Sequence, residues 1–128
     1  MTPMLTYLFW AALLTFVQML VAVLLTLGSV DLPTLADNRE GLGEVTGMAG
    51  RAQRAHRNML ESLILFAILV LVAHLAQRSN ATTLLGAQLF VGARLVYALV
   101  YIAGIPWLRT AIWAVSVIGL GMIASQLI

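Results

Sequence analysis

The residues able to do chemistry are concentrated in one stretch, Arg51-Ala52-Gln53-Arg54-Ala55-His56-Arg57-Asn58-Met59-Leu60-Glu61, and in a smaller set further on, Arg94, Tyr97, Tyr101 and Arg109. At about 100° per residue, a helix through the first stretch gathers Arg51, Arg54, Arg57, Asn58 and Glu61 within an arc of roughly 120° and points His56 elsewhere. Arg57 and Glu61 are four apart, the spacing at which opposite charges can pair. Arg94, Tyr97 and Tyr101 follow an i, i+3, i+7 pattern and share a face. Guanidinium groups bind carboxylates through paired hydrogen bonds, and a carboxylate such as Glu61 can take an ammonium group. The matching ligand is small and polar, with several carboxylates and an amine. A buried Arg–Asn–Glu network can equally serve to hold helices or subunits together. Spacing alone leaves both readings open.

The elements that carry these residues are membrane helices. Apolar residues make up 62% of the 128 residues, charged residues 9%, and mean hydropathy is +0.99. Soluble domains carry roughly 25% charged residues, and a small one buries only about 60–70% of its surface. A chain of this length forms one domain, and its natural solvent is the bilayer. Met4 to Leu27 is an uncharged run of about 24 residues, longer than the ~30 Å hydrocarbon core requires. With no basic segment before it and a poor cleavage site after it, the run is expected to be a retained helix. The polar connection over residues 29–50 holds Pro33 and the charges Asp31, Asp37, Arg39, Glu40 and Glu44. The second apolar run, Ser62 to Ala76, is short for a crossing. Its helix is therefore expected to begin near Arg51 and to cover 51–77, drawing polar residues into the membrane boundary. The third span is expected over 81–103. After a Gly104-Ile105-Pro106 turn, the fourth covers 107–128, because proline suits the first turn of a helix. The expected fold class is an all-α integral membrane four-helix bundle.

All seven basic residues are Arg and net charge is +2, too little and too scattered for a nucleic-acid surface. The absence of Cys excludes disulfides, thiolate catalysis by the chain itself and zinc-thiolate sites; no metal site is expected. His74 is expected at the outer membrane interface and His56 at the surface. Gly86, Gly92, Gly119 and Gly121 are expected to allow close helix approach.

Arg39, Arg51, Arg54, Arg57 and Arg109 fall on the side of the first and third connections, and Arg78 alone on the other. Arginine bias places the first and third connections in the cytoplasm. The second helix enters from that side, the third runs toward it and Arg109 follows at once. Three helices therefore aim polar residues at one layer of the membrane, in its cytoplasmic half.

At these residues the chain resembles the membrane-associated proteins in eicosanoid and glutathione metabolism. The Arg51–Glu61 pattern is similar to the family's second-helix signature nearly throughout. The pattern Arg94-x-x-Tyr97-x-x-x-Tyr101 looks like that of the family's leukotriene-forming branch. Pro106 followed by Arg109-Thr110 looks like the start of the family's last helix, where the catalytic arginine resides. Length and layout agree over the whole chain, and the likeness is greatest to bacterial members, which implies a bacterial inner membrane. The resemblance implies a homotrimer that binds glutathione between subunits as co-substrate. Arg54, Arg57, Asn58 and Glu61 would bind it, and Arg94, Tyr97 and Tyr101 would line the same pocket. Arg109 would stabilise the thiolate, and a lipophilic electrophile would arrive through the bilayer. The function implied is a glutathione transferase or peroxidase. The alternative is a non-catalytic scaffold of the same fold that binds lipid or another hydrophobic ligand. A small transporter is disfavoured, because four-helix exporters rely on an acid in the first span and Met4 to Leu27 has none.

Overall fold

The computed structural model describes residues 1–28 and 45–128, together with Pro33 and Ala36. The charges expected in the first connection, Asp31, Asp37, Arg39, Glu40 and Glu44, lie outside the described residues. Four long helices, each apolar enough to cross a membrane, make up the rest: α1 (Pro3–Leu27), α2 (Gly47–Leu75), α3 (Ala81–Ala103) and α4 (Pro106–Ser125). They alternate in direction. Thr26 near the end of α1 accepts a hydrogen bond from Gln53 near the start of α2, and Asn80 before α3 donates to Gln126 after α4. The fold is the all-α four-helix membrane bundle expected from the sequence.

The boundaries follow local chemistry. Thr2 caps α1, its hydroxyl accepting from the Leu5 amide at 3.3 Å. α2 begins four residues earlier than the expected 51. At its glycine-rich start Gly47 takes φ +68°, in the left-handed region at the helix entry, and Gly50 sits where a Cβ would collide with the Val45 carbonyl. Glycine here permits a tight first turn rather than a loop. At 29 residues α2 exceeds the roughly 20 needed for a crossing. Its first turns can therefore hold the Arg51–Asn58 stretch at the membrane boundary. α3 opens with a capping box: the Asn80 side chain accepts from the Thr83 amide at 3.0 Å, and the Asn80 amide donates to the Thr83 hydroxyl at 2.8 Å. It closes on Gly104 at φ +83°, where the Gly104 and Ile105 amides return to the Val100 carbonyl. Pro106 then starts α4, which ends at Ser125 rather than 128.

Several threonine hydroxyls along the spans are satisfied within their own helices. Thr15 donates to the Ala11 carbonyl at 2.8 Å and Thr26 to that of Ala22 at 2.6 Å. This removes the penalty of a bare donor in hydrocarbon. Phe66 and Phe90 stack at the centre of the bundle, with centroids 4.2 Å apart. α3 and α4 touch backbone to backbone: a Cβ on Gly86 would lie 2.6 Å from the Gly119 carbonyl, and the reverse holds for Gly119. Gly92 and Gly121 have nothing within 4 Å of a built Cβ, so the close approach expected of all four glycines is made by two of them.

Gly86→Val should accordingly push α3 and α4 apart and cost about 1–3 kcal/mol, the range for overfilling a close-packed contact. Thermal unfolding in detergent should show a lowered Tm, and Gly92→Ala should leave it unchanged. A Gly86→Val protein as stable as the parent would contradict the close contact.

Candidate functional site

Seven of the eight residues predicted for the site split between three helices and meet around one cavity. α2 contributes Arg54, Arg57, Asn58 and Glu61, α3 contributes Tyr97 and Tyr101, and α4 contributes Arg109. The cavity holds about 250 Å³. Helical periodicity explains the α2 contribution, since 54, 57, 58 and 61 follow the i, i+3, i+4, i+7 rule for one face. Among the described residues the lining holds three guanidinium groups and one carboxylate. The Arg57–Glu61 ion pair that the spacing permits is not formed, and both side chains remain exposed at the cavity. The buried Oδ1 of Asn58 has no hydrogen-bond partner and is an acceptor available to a ligand N–H.

The α3 and α4 residues are ordered by ring contacts. The Tyr97 and Tyr101 rings meet edge to face, with centroids 5.6 Å apart and planes at 62°. The guanidinium carbon of Arg109 lies 4.5 Å from the Tyr101 centroid, within cation–π range. A smaller adjoining recess of about 170 Å³ shares Asn58, Tyr97 and Arg109 and adds Thr110 and Trp113. Thr110 and Trp113 were not predicted as site residues. The available signal was that Thr110 neighbours Arg109 and that Trp113 follows one turn later.

The eighth predicted residue is placed elsewhere. Arg94 does not line the cavity: it is 1% exposed and lies behind Tyr97, its guanidinium carbon 4.2 Å from that ring's centroid. Its position one turn before Tyr97 fixes the shared face but not how far a side chain reaches. Its Nε, Nη1 and Nη2 have no hydrogen-bond partner. Arg51, on the polar arc of α2, turns instead to the end of α3, where its Nε donates to the Ile102 carbonyl at 2.9 Å. A cation there complements the helix C-terminus and satisfies one of its last carbonyls.

A larger cavity of about 500 Å³ lies between α1 and α2, walled mainly by apolar side chains such as Met19, Val23, Leu27 and Leu60. His56, expected at the surface, is half-buried against it, and Arg57 borders both cavities. The chemistry nevertheless belongs to the smaller cavity, because the charged and phenolic groups converge there. Such a site can hold a polyanion, take an ammonium group at Glu61 and stabilise a developing anion beside Arg109.

A family model described as the MAPEG family matches residues 4–128. No curated protein and no solved structure matches the chain.

Proposed function

The chain belongs to the MAPEG family, and on that premise we propose that it is a membrane glutathione transferase or peroxidase acting on lipophilic electrophiles. The observation that carries the reading is the convergence of Arg54, Arg57, Asn58, Glu61, Tyr97, Tyr101 and Arg109 on one cavity. Glutathione in its thiolate form has two carboxylates, one ammonium and one sulfur anion. Arg54 and Arg57 suit the carboxylates, Glu61 the ammonium, and Arg109 the sulfur. A fixed guanidinium lowers a thiol pKa and so raises the thiolate fraction. In the transferase reaction the sulfur forms a bond to an electrophilic carbon and the leaving group departs with its electron pair. The electrophile reaches the site through the bilayer. Calorimetry with the detergent-solubilised protein tests the reading. Saturable glutathione binding is expected, and no heat at millimolar ligand would overturn it. If glutathione binds but no electrophile is turned over, the scaffold reading prevails, with the apolar cavity between α1 and α2 as its hydrophobic ligand site.

The active form is proposed to be a homotrimer with glutathione between subunits. In one subunit the cavity is open, with Arg57 and Glu61 exposed on it. Native mass spectrometry from detergent should give trimers; monomers alone would exclude this.

The site is proposed to open to the cytoplasm of a bacterial inner membrane. Arg51, Arg54, Arg57 and Arg109 lie toward one end of the bundle, and Arg78 lies beyond the other end of α2. Because the chain has no native cysteine, Thr46→Cys and Ser79→Cys each give a single thiol. An impermeant thiol reagent applied to intact cells should label the Ser79→Cys protein and not the Thr46→Cys protein. The opposite pattern would invert the topology.

A further inference from the structure

We propose that Arg94 is a positioning residue for Arg109, acting through a ladder of rings that runs Arg94, Tyr97, Tyr101, Arg109. The proposal rests on the reading of Arg109 as the group that stabilises the thiolate. Three contacts build the ladder. The Arg94 guanidinium carbon lies 4.2 Å from the Tyr97 centroid. The Tyr97 and Tyr101 rings meet at 5.6 Å and 62°. The Arg109 guanidinium carbon lies 4.5 Å from the Tyr101 centroid. Cations favour the faces of aromatic rings, and aromatic pairs favour edge-to-face contact, so each contact is attractive. The two outer groups are cations and the two inner ones are rings that separate them.

Burial gives the ladder a fixed end and an adjustable one. Arg94 is 1% exposed and Tyr97 4% exposed, so neither has room to change rotamer without disturbing the bundle. Arg109 is half-buried near the start of α4, and among the described residues its side chain has no hydrogen bond. The face of Tyr101 is therefore what orients its guanidinium. Stability does not explain Arg94. A buried cation with no hydrogen-bond partner is unfavourable, and an apolar residue of similar size would suit the site at least as well. Ligand binding does not explain it either, because Arg94 is absent from the cavity lining. What remains is its stack on Tyr97, a ring that does line the cavity. Through that ring it sets Tyr101 and then Arg109.

The test uses the full chain in detergent. Turnover is measured with glutathione and a chlorodinitrobenzene, where the sulfur replaces chloride on the ring. Arg94→Met should lower kcat about ten- to hundredfold, the scale on which displacing a reacting group through a remote change acts. The KM for glutathione should stay within about twofold, because no group that binds it is removed. The absorbance of bound thiolate should fall in step with kcat. Arg94→Lys keeps a cation over the ring and should recover most of kcat. Arg94→Gln supplies a second neutral replacement should the Met variant not fold. In the Arg109→Ala background Arg94→Met should have no further effect on kcat, since residues that act through one another are not additive. A raised KM with unchanged kcat would make Arg94 a binding residue and overturn the proposal, as would additive effects of the two substitutions. A second arm needs no ligand: the Tm shifts of Arg94→Met and Arg109→Ala should be non-additive in the free protein. If the parent protein shows neither thiolate nor turnover, the transferase reading fails while this arm still decides the ladder. Non-additive shifts support it and additive shifts refute it.

Discussion

Arg109→Ala should lower turnover of a model electrophile on the order of a hundredfold, the effect of removing one electrostatic stabiliser of a reacting anion, while glutathione is still bound. The expectation follows from how the site divides between helices. Arg54, Arg57, Asn58 and Glu61 lie on α2, and Tyr97 and Tyr101 on α3, so the groups proposed to hold the ligand's carboxylates and ammonium remain when α4 loses its guanidinium. What disappears is the positive charge proposed to face the sulfur. A group that favours the reacting anion lowers kcat and kcat/KM together when removed, whereas a group used only for holding the ligand raises KM. Stopped-flow absorbance in the thiolate band should show less anion in the variant at the same saturation. Arg78→Ala, exposed beyond the far end of α2, is the control and should change little. A variant that binds glutathione, forms the thiolate and turns over normally would remove Arg109 from the mechanism.

Much of this architecture was legible in the residues themselves. Long apolar runs with a turn at Gly104-Ile105-Pro106 give four helices, because hydrocarbon leaves a spanning backbone few alternatives to helix. The polar arc of α2 was legible for a related reason. A charged side chain in a membrane segment needs a partner or a water-filled cavity, so a run of them at helical spacing marks a site. Residues 47–50 were misread because glycine signals a turn and a tight helix start alike. Only the close approach of the Val45 carbonyl to Gly50 distinguishes them, and that contact involves backbone geometry. Arg51 and Arg94 were harder still. Each shares a face with true lining residues, yet a long arginine side chain can follow its helix face or reach across it. Arg51 reaches the carbonyl end of α3 and Arg94 lies against a ring. Periodicity assigns direction, and tertiary contacts decide where a flexible side chain ends.

The contact between Gly86 and Gly119 bears on the site as well as on stability. It joins α3, which carries both tyrosines, to α4, which carries Arg109. Backbone-to-backbone contact leaves little freedom for one helix to slide on the other. The contact therefore sets the register of α3 against α4 from the end of the pair remote from the cavity, whose third wall is α2. A fixed register suits the proposed reaction, in which a charge must be in place before the anion forms.

Glu61→Gln should weaken glutathione binding by about 1.5–3 kcal/mol, the range for a hydrogen bond to a charged group, which is roughly 10- to 150-fold in Kd. Glu61 is the one acidic side chain among the described residues, and the other charged groups lining the cavity are guanidiniums, which repel an ammonium. Asn58 offers a neutral carbonyl oxygen in its place, a weaker acceptor for a cation. Gln preserves the shape of the side chain, so the change isolates charge. Unlike Arg109→Ala, the substitution should raise KM in step with Kd and leave kcat near that of the parent, because the ammonium takes no part in bond formation. A glutathione analogue lacking the amine completes a thermodynamic cycle. The parent should bind the analogue about as weakly as Glu61→Gln binds glutathione, and in the variant the two ligands should differ little. Calorimetry reads all four combinations, and thermal unfolding of the free variant checks that the bundle is intact. If Glu61→Gln binds glutathione as tightly as the parent, or discriminates between the two ligands just as strongly, the ammonium lies elsewhere and the proposed orientation of the ligand is wrong.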